Sequence, residues 1–158
     1  MKIYQGFVPN VQIPGELTQV DIRPKDEAFW DRCIEHSLEN HPVCGVGNFG
    51  IGKTTTVLYL LQNLVREKQK AVVFTIQTIF GEEDIFYEFV PVVREDAVSD
   101  IKVKLYGGFA NKMSKMIPIL HNKDALFVVD PGNYEYLCDI SKLIAARYIM
   151  AASNDSKH

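Results

Sequence analysis

The chain has 158 residues, 47% of them hydrophobic, and a formal net charge of −3 at pH 7. This length suits a single domain over residues 1–158, and the negative charge argues against a dedicated nucleic-acid-binding protein while leaving a local basic face open. Three cysteines, an odd number without metal-ligand spacing, favour a reduced, intracellular compartment, cytoplasmic or nuclear, over a disulfide scaffold.

The first elements are an extended segment and a helix. Residues 1–24 are rich in glycine and proline and predict an extended lead-in, without the apolar run of a signal peptide. No apolar run in the chain is long enough to cross a bilayer, so no membrane contact is expected. Residues 26–38 predict a helix that directs four side chains to the core: Phe29, Trp30, Cys33 and His36. His36 and His41 lack partners at ligand spacing, which favours packing or a helix-end role over a metal site.

Residues 47–54 read GNFGIGKT and match the whole phosphate-binding pattern G-x-x-x-x-G-K-[ST]. A short apolar strand near 42–46 precedes the pattern and a helical run to about Lys68 follows it, which is the context that a Walker A loop requires. The glycines let backbone N–H groups approach phosphate oxygens at a helix N-terminus, where anions are favoured. A glycine-rich turn that binds nothing is the alternative, and the context on both sides disfavours it.

The loop and the residue after it supply most of the predicted nucleotide contacts. They are Gly47, Asn48, Phe49, Gly50, Ile51, Gly52, Lys53, Thr54 and Thr55. Lys53 is expected to reach the β- and γ-phosphates and to stabilise charge in catalysis, and the Thr54 hydroxyl is expected to bind Mg²⁺.

The middle of the chain departs from a standard core of this type. A fully apolar strand at 71–76 is followed by two strand-like segments, 85–93 and 101–106, which together predict a β-hairpin insertion over 80–106. Pro91 cannot donate to a ladder, so the first hairpin strand is expected to be an edge strand or to bend there.

The remaining elements complete an α/β alternation. Apolar residues between 109 and 120 form a helical stripe, Phe109, Met113, Met116, Ile117 and Leu120, which Pro118 distorts near its end. A strand follows at 125–130, then a short helix at 136–145 and a last strand at 147–152, before a polar tail.

The segment ALFVVD, residues 125–130, has the form of a Walker B strand. Asp130 is predicted as a second catalytic and metal-site residue that organises Mg²⁺ opposite Thr54. The glutamate that often follows this aspartate in hydrolases is absent, because the next residue is Pro131. Glu135 or the acidic run 82–84 could replace it only if the fold brings them close. Ser153 and Asn154, at the end of the last strand, are candidates for the γ-phosphate, as much as for a plain turn.

Two near-matches to guanine-nucleotide motifs are rejected. Asn122-Lys123-Asp124 has its aspartate one position early, and Asp130-Pro131-Gly132 has its glycine one position early. The two also stand in reversed order, so ATP is the expected nucleotide and Mg²⁺ the expected metal.

Charge is segregated around the hairpin. Residues 82–100 contain seven acids and one base, whereas residues 101–123 contain five lysines, one histidine and no acid. The two segments are expected to lie side by side and neutralise each other. The alternative is a docking surface for an acidic partner or a nucleic acid, which would make binding salt-dependent.

The run GNFGIGKTTTVLYLLQNLVREKQKAVVF resembles the nucleotide-binding segment of Crinkler-type effector proteins and the related retrotransposon-hot-spot proteins. The lead-in DIRPKDEAFWDRC and the later FVVD and AASND stand where that family places comparable segments, so the resemblance covers about residues 20–155. It implies Lys53 and Thr54 as phosphate and Mg²⁺ contacts and Asp130 as the Walker B acid. Phe49 stands where the family often has proline. Family members usually continue into a further domain, so this chain could be truncated after residue 158.

These observations predict a three-layer α/β P-loop domain with a mainly parallel sheet, an extra strand between the two Walker strands, and no last core strand. The predicted function is ATP·Mg²⁺ binding with slow hydrolysis, as a conformational switch or assembly module of an effector-like protein. A homo-oligomer or partner protein would supply any arginine finger. The alternatives are a non-hydrolysing nucleotide-binding interaction protein and a small-molecule kinase, for which no arginine-rich lid is found.

Overall fold

The computed structural model describes residues 2–5, 19–22, 24–39, 43–47, 59–76, 84–130, 144 and 146–153. Strands β1 (Lys2–Gln5) and β2 (Gln19–Ile22) form a small antiparallel sheet. The main sheet contains β3 (Val43–Gly47), β4 (Val72–Ile76), β5 (Asp84–Arg94), β6 (Ala97–Gly108), β7 (Leu126–Asp130) and β8 (Arg147–Ser153). The helices are α1 (Pro24–Leu38), α2 (residues 59–62 continued by the π-helical turn Asn63–Glu67) and α3 (Ala110–Met116), and a 3₁₀ turn (Pro118–His121) follows α3.

The main sheet has the strand order β3-β8-β7-β4-β5-β6. The strands β3, β8, β7 and β4 run parallel to one another, as predicted for the four core strands. Strand β8 lies between β3 and β7, which confirms the predicted separation of the strand before GNFGIGKT from the strand that ends in Asp130. Within the part of the chain that the structure describes, β3 is a terminal strand of this sheet.

The hairpin β5–β6 is found where it was predicted, but the prediction of a mainly parallel sheet is wrong. Strand β5 pairs antiparallel with β4, from Val72–Phe89 to Thr75–Phe86, and β6 pairs antiparallel with β5, so the sheet is mixed. Burial gives the reason. The rings of Phe86, Tyr87 and Phe89 alternate between the two faces and are all buried beside β4, which favours extension of the sheet over a separate insertion.

Apolar side chains are buried on both faces of the main sheet. On the first face, α1 and α2 cover a cluster that includes Trp30 and Phe74. On the second face, α3 and the 3₁₀ turn cover a cluster that includes Met113, Leu120 and Phe127. Because helices lie on both faces of the sheet, the structure has the predicted α/β class.

Helix α1 begins at Pro24, two residues before the predicted start, because proline is tolerated in a first helical turn. Three of its predicted core side chains are buried or half-buried: Phe29, Trp30 and Cys33. The prediction for His36 is wrong, since its side chain is exposed. The buried stripe passes instead through Ile34 and Ser37, whose hydroxyl donates to the Ile34 carbonyl oxygen at 2.8 Å.

The hairpin continues past Val72, the first residue of β4, to a two-residue turn. Pro91 lies in this extension, where β5 pairs with β6 alone and the pairing register shifts between Val92 and Val93. Strand β5 is not the predicted edge strand, because it lies between β4 and β6, but Pro91 stands beyond the residues of β5 that pair with β4. The irregularity follows one residue after Pro91, which itself pairs with Ile101. Glu95 and Asp96 close the hairpin with φ of 52° and 65°, the left-handed pair that a tight turn between twisted strands requires.

The helical stripe after the hairpin is shorter than predicted. Pro118 ends the α-helical part and begins the 3₁₀ turn, which confirms the predicted distortion. Phe109 and Met116 were expected to face the core but are exposed, because the buried side of α3 runs through Met113 and Ser114.

Several predicted segments lie outside the described residues, or are described only in part. The helix predicted at 136–145 is outside them apart from Ile144, and so is the tail after Ser153. The extended lead-in contains β1 and β2, whose pairing was not predicted. None of the helices in the described ranges is long and apolar enough to cross a membrane.

Candidate functional site

The carboxyl ends of the four parallel strands meet at one edge of the main sheet. Gly47 ends β3, Ser153 ends β8, Asp130 ends β7 and Ile76 ends β4. Open α/β sheets bind ligands at this edge, where the loops that follow parallel strands converge. Three residues predicted to serve one site are thus brought to a common edge by the strand order alone.

The pairing register gives the position of each strand end along the common direction of the parallel strands. Val129 pairs with Met150, so Asp130 is level with the next residue of β8, two residues before Ser153. Gly47 pairs with Ser153 and therefore lies about 6.6 Å beyond Asp130 along the strand direction. Across the sheet, β3 and β7 are separated by two strand spacings, about 9.5 Å.

The other predicted site residues lie outside the described part of the chain. They are Asn48, Phe49, Gly50, Ile51, Gly52, Lys53, Thr54, Thr55 and Asn154. For Gly47, Asp130 and Ser153 the structure describes the backbone position. The candidate replacements Glu82, Glu83 and Glu135 are also outside the described ranges.

Asp84 is brought to the same edge from the antiparallel side of the sheet. It is the first residue of β5, which neighbours β4, and its side chain is buried. Because Ile76 pairs with Asp130 and Thr75 pairs with Phe86, Asp84 stands one residue beyond the level of Asp130, two strands away. The sequence named Asp84 as a replacement acid if the fold brought it close, and the backbone meets that condition to within about 10 Å.

The helix after the loop is tied to α1 by a tyrosine that the sequence did not single out. The Tyr59 hydroxyl donates to Asp31 Oδ1 at 2.8 Å, and the Tyr59 ring is buried. Burial, this hydrogen bond and the negative charges of Asp31 and Glu27 raise the pKa of Tyr59 well above its usual value, against a smaller lowering by Asn63. A tyrosine within an apolar helical segment buries a hydroxyl group, and a buried hydroxyl usually has a hydrogen-bond partner.

Arg147, at the start of β8, holds this strand against α1. Its Nη1 donates to the carbonyl oxygens of Ser37 at 3.0 Å and Leu38 at 3.2 Å. These carbonyls belong to the last turn of α1, where helical carbonyl groups lack an intrahelical donor, so a cation there is favoured. Arg147 is therefore a structural residue, which sequence spacing did not indicate.

Replacing Tyr59 by phenylalanine is expected to lower the free energy of unfolding by about 1.5 kcal/mol, the low end for a hydrogen bond to a charged group. The low end applies because Asp31 is half-exposed, so that water can replace the tyrosine hydroxyl as its hydrogen-bond donor. Urea denaturation at pH 7 measures this loss. Tyr148, half-buried on the other face, is the matched control, and its replacement by phenylalanine is expected to change little.

The same tyrosine predicts a loss of stability at alkaline pH. Tyr59, Tyr87 and Tyr106 all have raised pKa values, mainly through burial. In the unfolded chain tyrosine ionises near pH 10, so the unfolded state releases protons first and stability falls as pH rises above about 10. Tyr59→Phe should make this fall shallower. An equally steep fall in the variant would contradict the assignment.

Among the residues that the structure describes, no group of three or more histidine, cysteine, aspartate or glutamate side chains could hold a metal ion. The predicted Mg²⁺ ligand Thr54 is outside those residues.

No model of a known family, no curated protein and no solved structure matches this chain.

Proposed function

We propose that the chain binds ATP·Mg²⁺ at the carboxyl edge of its parallel strands and hydrolyses it slowly. In this role it would act as a conformational switch or assembly module of an effector-like protein. One observation carries the proposal. The octapeptide GNFGIGKT begins at Gly47, the last residue of β3, and Asp130 ends the strand two positions away at the same edge.

The strand order supports the division of roles between the two motifs. Residues 48–54 follow β3 directly, so their backbone N–H groups would hold the phosphates, with Lys53 on the β- and γ-phosphates. The gap of about 9.5 Å between β3 and β7 would accommodate a metal ion with its water, which Thr54 and Asp130 would hold if the loop folds as proposed. When bound, Mg²⁺ would supply charge neutralisation at the phosphates.

Slow hydrolysis is proposed because few catalytic groups lie near the site among the residues that the structure describes. Pro131 follows Asp130 where a glutamate is common, and the buried Asp84 starts two strands away. Arg147 already binds the end of α1, and Arg94 lies in the hairpin extension near the turn. An arginine finger would therefore come from a partner protein or a second copy of the chain.

The second candidate function is an interaction protein that binds nucleotide without hydrolysis, which the proline at position 131 favours. A small-molecule kinase is the third, and it has the weakest support because no arginine-rich segment resembles a lid.

A thermal melt with ATP·Mg²⁺, ADP and GTP, run beside a phosphate-release assay, tests the proposal. Ligand at 100 times its dissociation constant adds about 2.7 kcal/mol, which raises Tm by about 5–10 °C for a domain of this size. We expect ATP·Mg²⁺ to give such a shift with turnover below about 1 s⁻¹, the low end of enzyme rates.

The outcomes separate the candidates. A shift without phosphate release or ADP formation would identify the interaction protein. ADP formation that depends on an added acceptor, without release of inorganic phosphate, would identify a kinase, because the phosphoryl group passes to the acceptor. Absence of a shift with every nucleotide would refute nucleotide binding by this chain.

A further inference from the structure

The outer end of the main sheet has a face rich in lysine, which the proposed ATP site does not use. Strand β6 is the terminal strand on the hairpin side, and α3 follows it directly. Lys102 and Lys104 on β6 and Lys112 and Lys115 on α3 are all exposed. We call these four residues the lysine face.

The four lysines lie on one side of the sheet. Tyr106 packs into the cluster under α3, on the second face, and side chains two residues apart on a strand point to the same face. Lys104 and Lys102 therefore point to the face that α3 covers, and their exposure shows that α3 does not cover them. Lys112 and Lys115 are on the outer side of that helix.

Strands β5 and β6 lie side by side, as expected from the sequence, and two described acids share the face of the lysines. Glu88 is the cross-strand partner of Lys104, and Asp100 lies two residues before Lys102 on β6. The carboxyl groups of Asp84 and Glu88 are buried, and Glu88 accepts from the Tyr106 hydroxyl at 3.3 Å. Glu95 and Asp96 lie at the hairpin turn, beside the end of α2 on the opposite face, where Gln69 donates to the Asp96 carbonyl oxygen at 2.9 Å. Among the described residues, the acids therefore neutralise the lysine face only in part, since Glu88 and Asp100 stand against four lysines.

Protection of the sheet edge explains part of the pattern. Lysines on a terminal strand discourage pairing with another strand, and this accounts for Lys102 and Lys104. It does not account for Lys112 and Lys115, which are on a helix. It also leaves unexplained two exposed apolar side chains beside them, Phe109 at 43% and Met116 at 52% exposure.

We propose that the lysine face, with Phe109, binds single-stranded nucleic acid. Lysine ammonium groups are mobile point charges that suit phosphates along a flexible backbone. Single-stranded nucleic acid also exposes base faces that stack on aromatic rings, which a half-exposed Phe109, three residues before Lys112, can receive. A negatively charged chain attracts such a polymer only through a local basic surface. This inference is independent of the proposed ATP binding.

Fluorescence anisotropy with a labelled 20-nucleotide oligo(dT), titrated between 50 and 200 mM salt, tests the proposal on the full chain. Four neutralised phosphates give a slope of log K against log salt of about −3 for a single strand. Lys112→Glu/Lys115→Glu and, separately, Lys102→Glu/Lys104→Glu should each lower affinity at least tenfold at 50 mM salt. Each pair should also make the slope shallower by about 1.4. Phe109→Ala should lower affinity by about tenfold through lost stacking.

The matched control is Lys25→Glu/Lys68→Glu, which makes the same charge change at exposed positions of α1 and the end of α2, on the first face. It should change affinity less than threefold. Equal weakening in the control and the test pairs would overturn the proposal, since net charge alone would then be responsible. Lack of binding by the unmodified chain at 50 mM salt would overturn it as well.

Competition experiments distinguish single-stranded nucleic acid from other ligands of the lysine face. Saturating ATP·Mg²⁺ should not displace oligo(dT), and displacement would mean that the oligonucleotide occupies the GNFGIGKT loop. Polyglutamate of equal charge should compete poorly, and efficient competition would instead identify an acidic protein partner. Tighter binding of a duplex of the same length would contradict the stacking role of Phe109.

Discussion

Replacing Lys53 by alanine is expected to weaken ATP·Mg²⁺ binding by about 10- to 100-fold, the loss that follows when a hydrogen-bonded charge pair worth 1.5–3 kcal/mol is removed. The fold should survive, because the Lys53 side chain is proposed to contact the ligand and not the core. Isothermal titration with ATP·Mg²⁺ measures the affinity, and circular dichroism checks the fold.

Lys68→Ala is the matched control, because Lys68 is exposed just after the π-helical turn that ends α2. Its replacement removes the same charge at a distance from the loop and should leave affinity unchanged. A folded Lys53→Ala protein with normal affinity would remove the central claim that GNFGIGKT is a phosphate-binding loop.

Replacing Asp130 by asparagine is expected to lower the affinity for ATP in the presence of Mg²⁺ by about 10- to 100-fold, the usual effect of losing a residue that organises a metal site. Affinity in the presence of EDTA should change little, because the proposed role of Asp130 is to orient the hydrated ion. Titration of ATP with and without Mg²⁺ gives both values.

Asp124→Asn is the matched control for this variant. Asp124 is exposed just before the other end of β7, so the substitution has the same chemistry at the opposite edge of the sheet. Equal losses with and without Mg²⁺ in Asp130→Asn would make Asp130 a structural strand-end residue.

The parallel half of the sheet was predictable because its strands are apolar on both faces, as in the run from Val72 to Phe74. The hairpin was predictable from alternation, but its attachment to β4 was not. Attachment depends on Phe86 and Phe89, whose burial on opposite faces requires a neighbouring strand. Periodicity alone cannot tell such a pair from an independent ribbon, because pairing is a tertiary choice.

The edge that carries the candidate site was predictable from motifs, and its supports were not. Gly47 and Asp130 end β3 and β7, and the sequence predicted that another strand separates these two strands. The bonds from Tyr59 to Asp31 and from Arg147 to Ser37 join residues that are distant in sequence. Long-range side-chain bonds of this kind leave no local signature, because each partner is ordinary in its own helix or strand.

The connectivity of the sheet has a consequence for how the molecule assembles. The hairpin β5–β6 closes over a two-residue turn, whereas β3 pairs with β8 across most of the chain, Val43 with Ile149. Closing a loop costs conformational entropy before the distant contacts form, and the cost grows with the length of the loop. We therefore expect the hairpin to form early and the β3–β8 pairing to form late. The β3–β8 pair, whose carboxyl ends are Gly47 and Ser153, is then the last part of the sheet to form during synthesis. Until β8 emerges, β3 cannot pair with its neighbour, so a partly made chain has its glycine-rich loop without the strand that positions it.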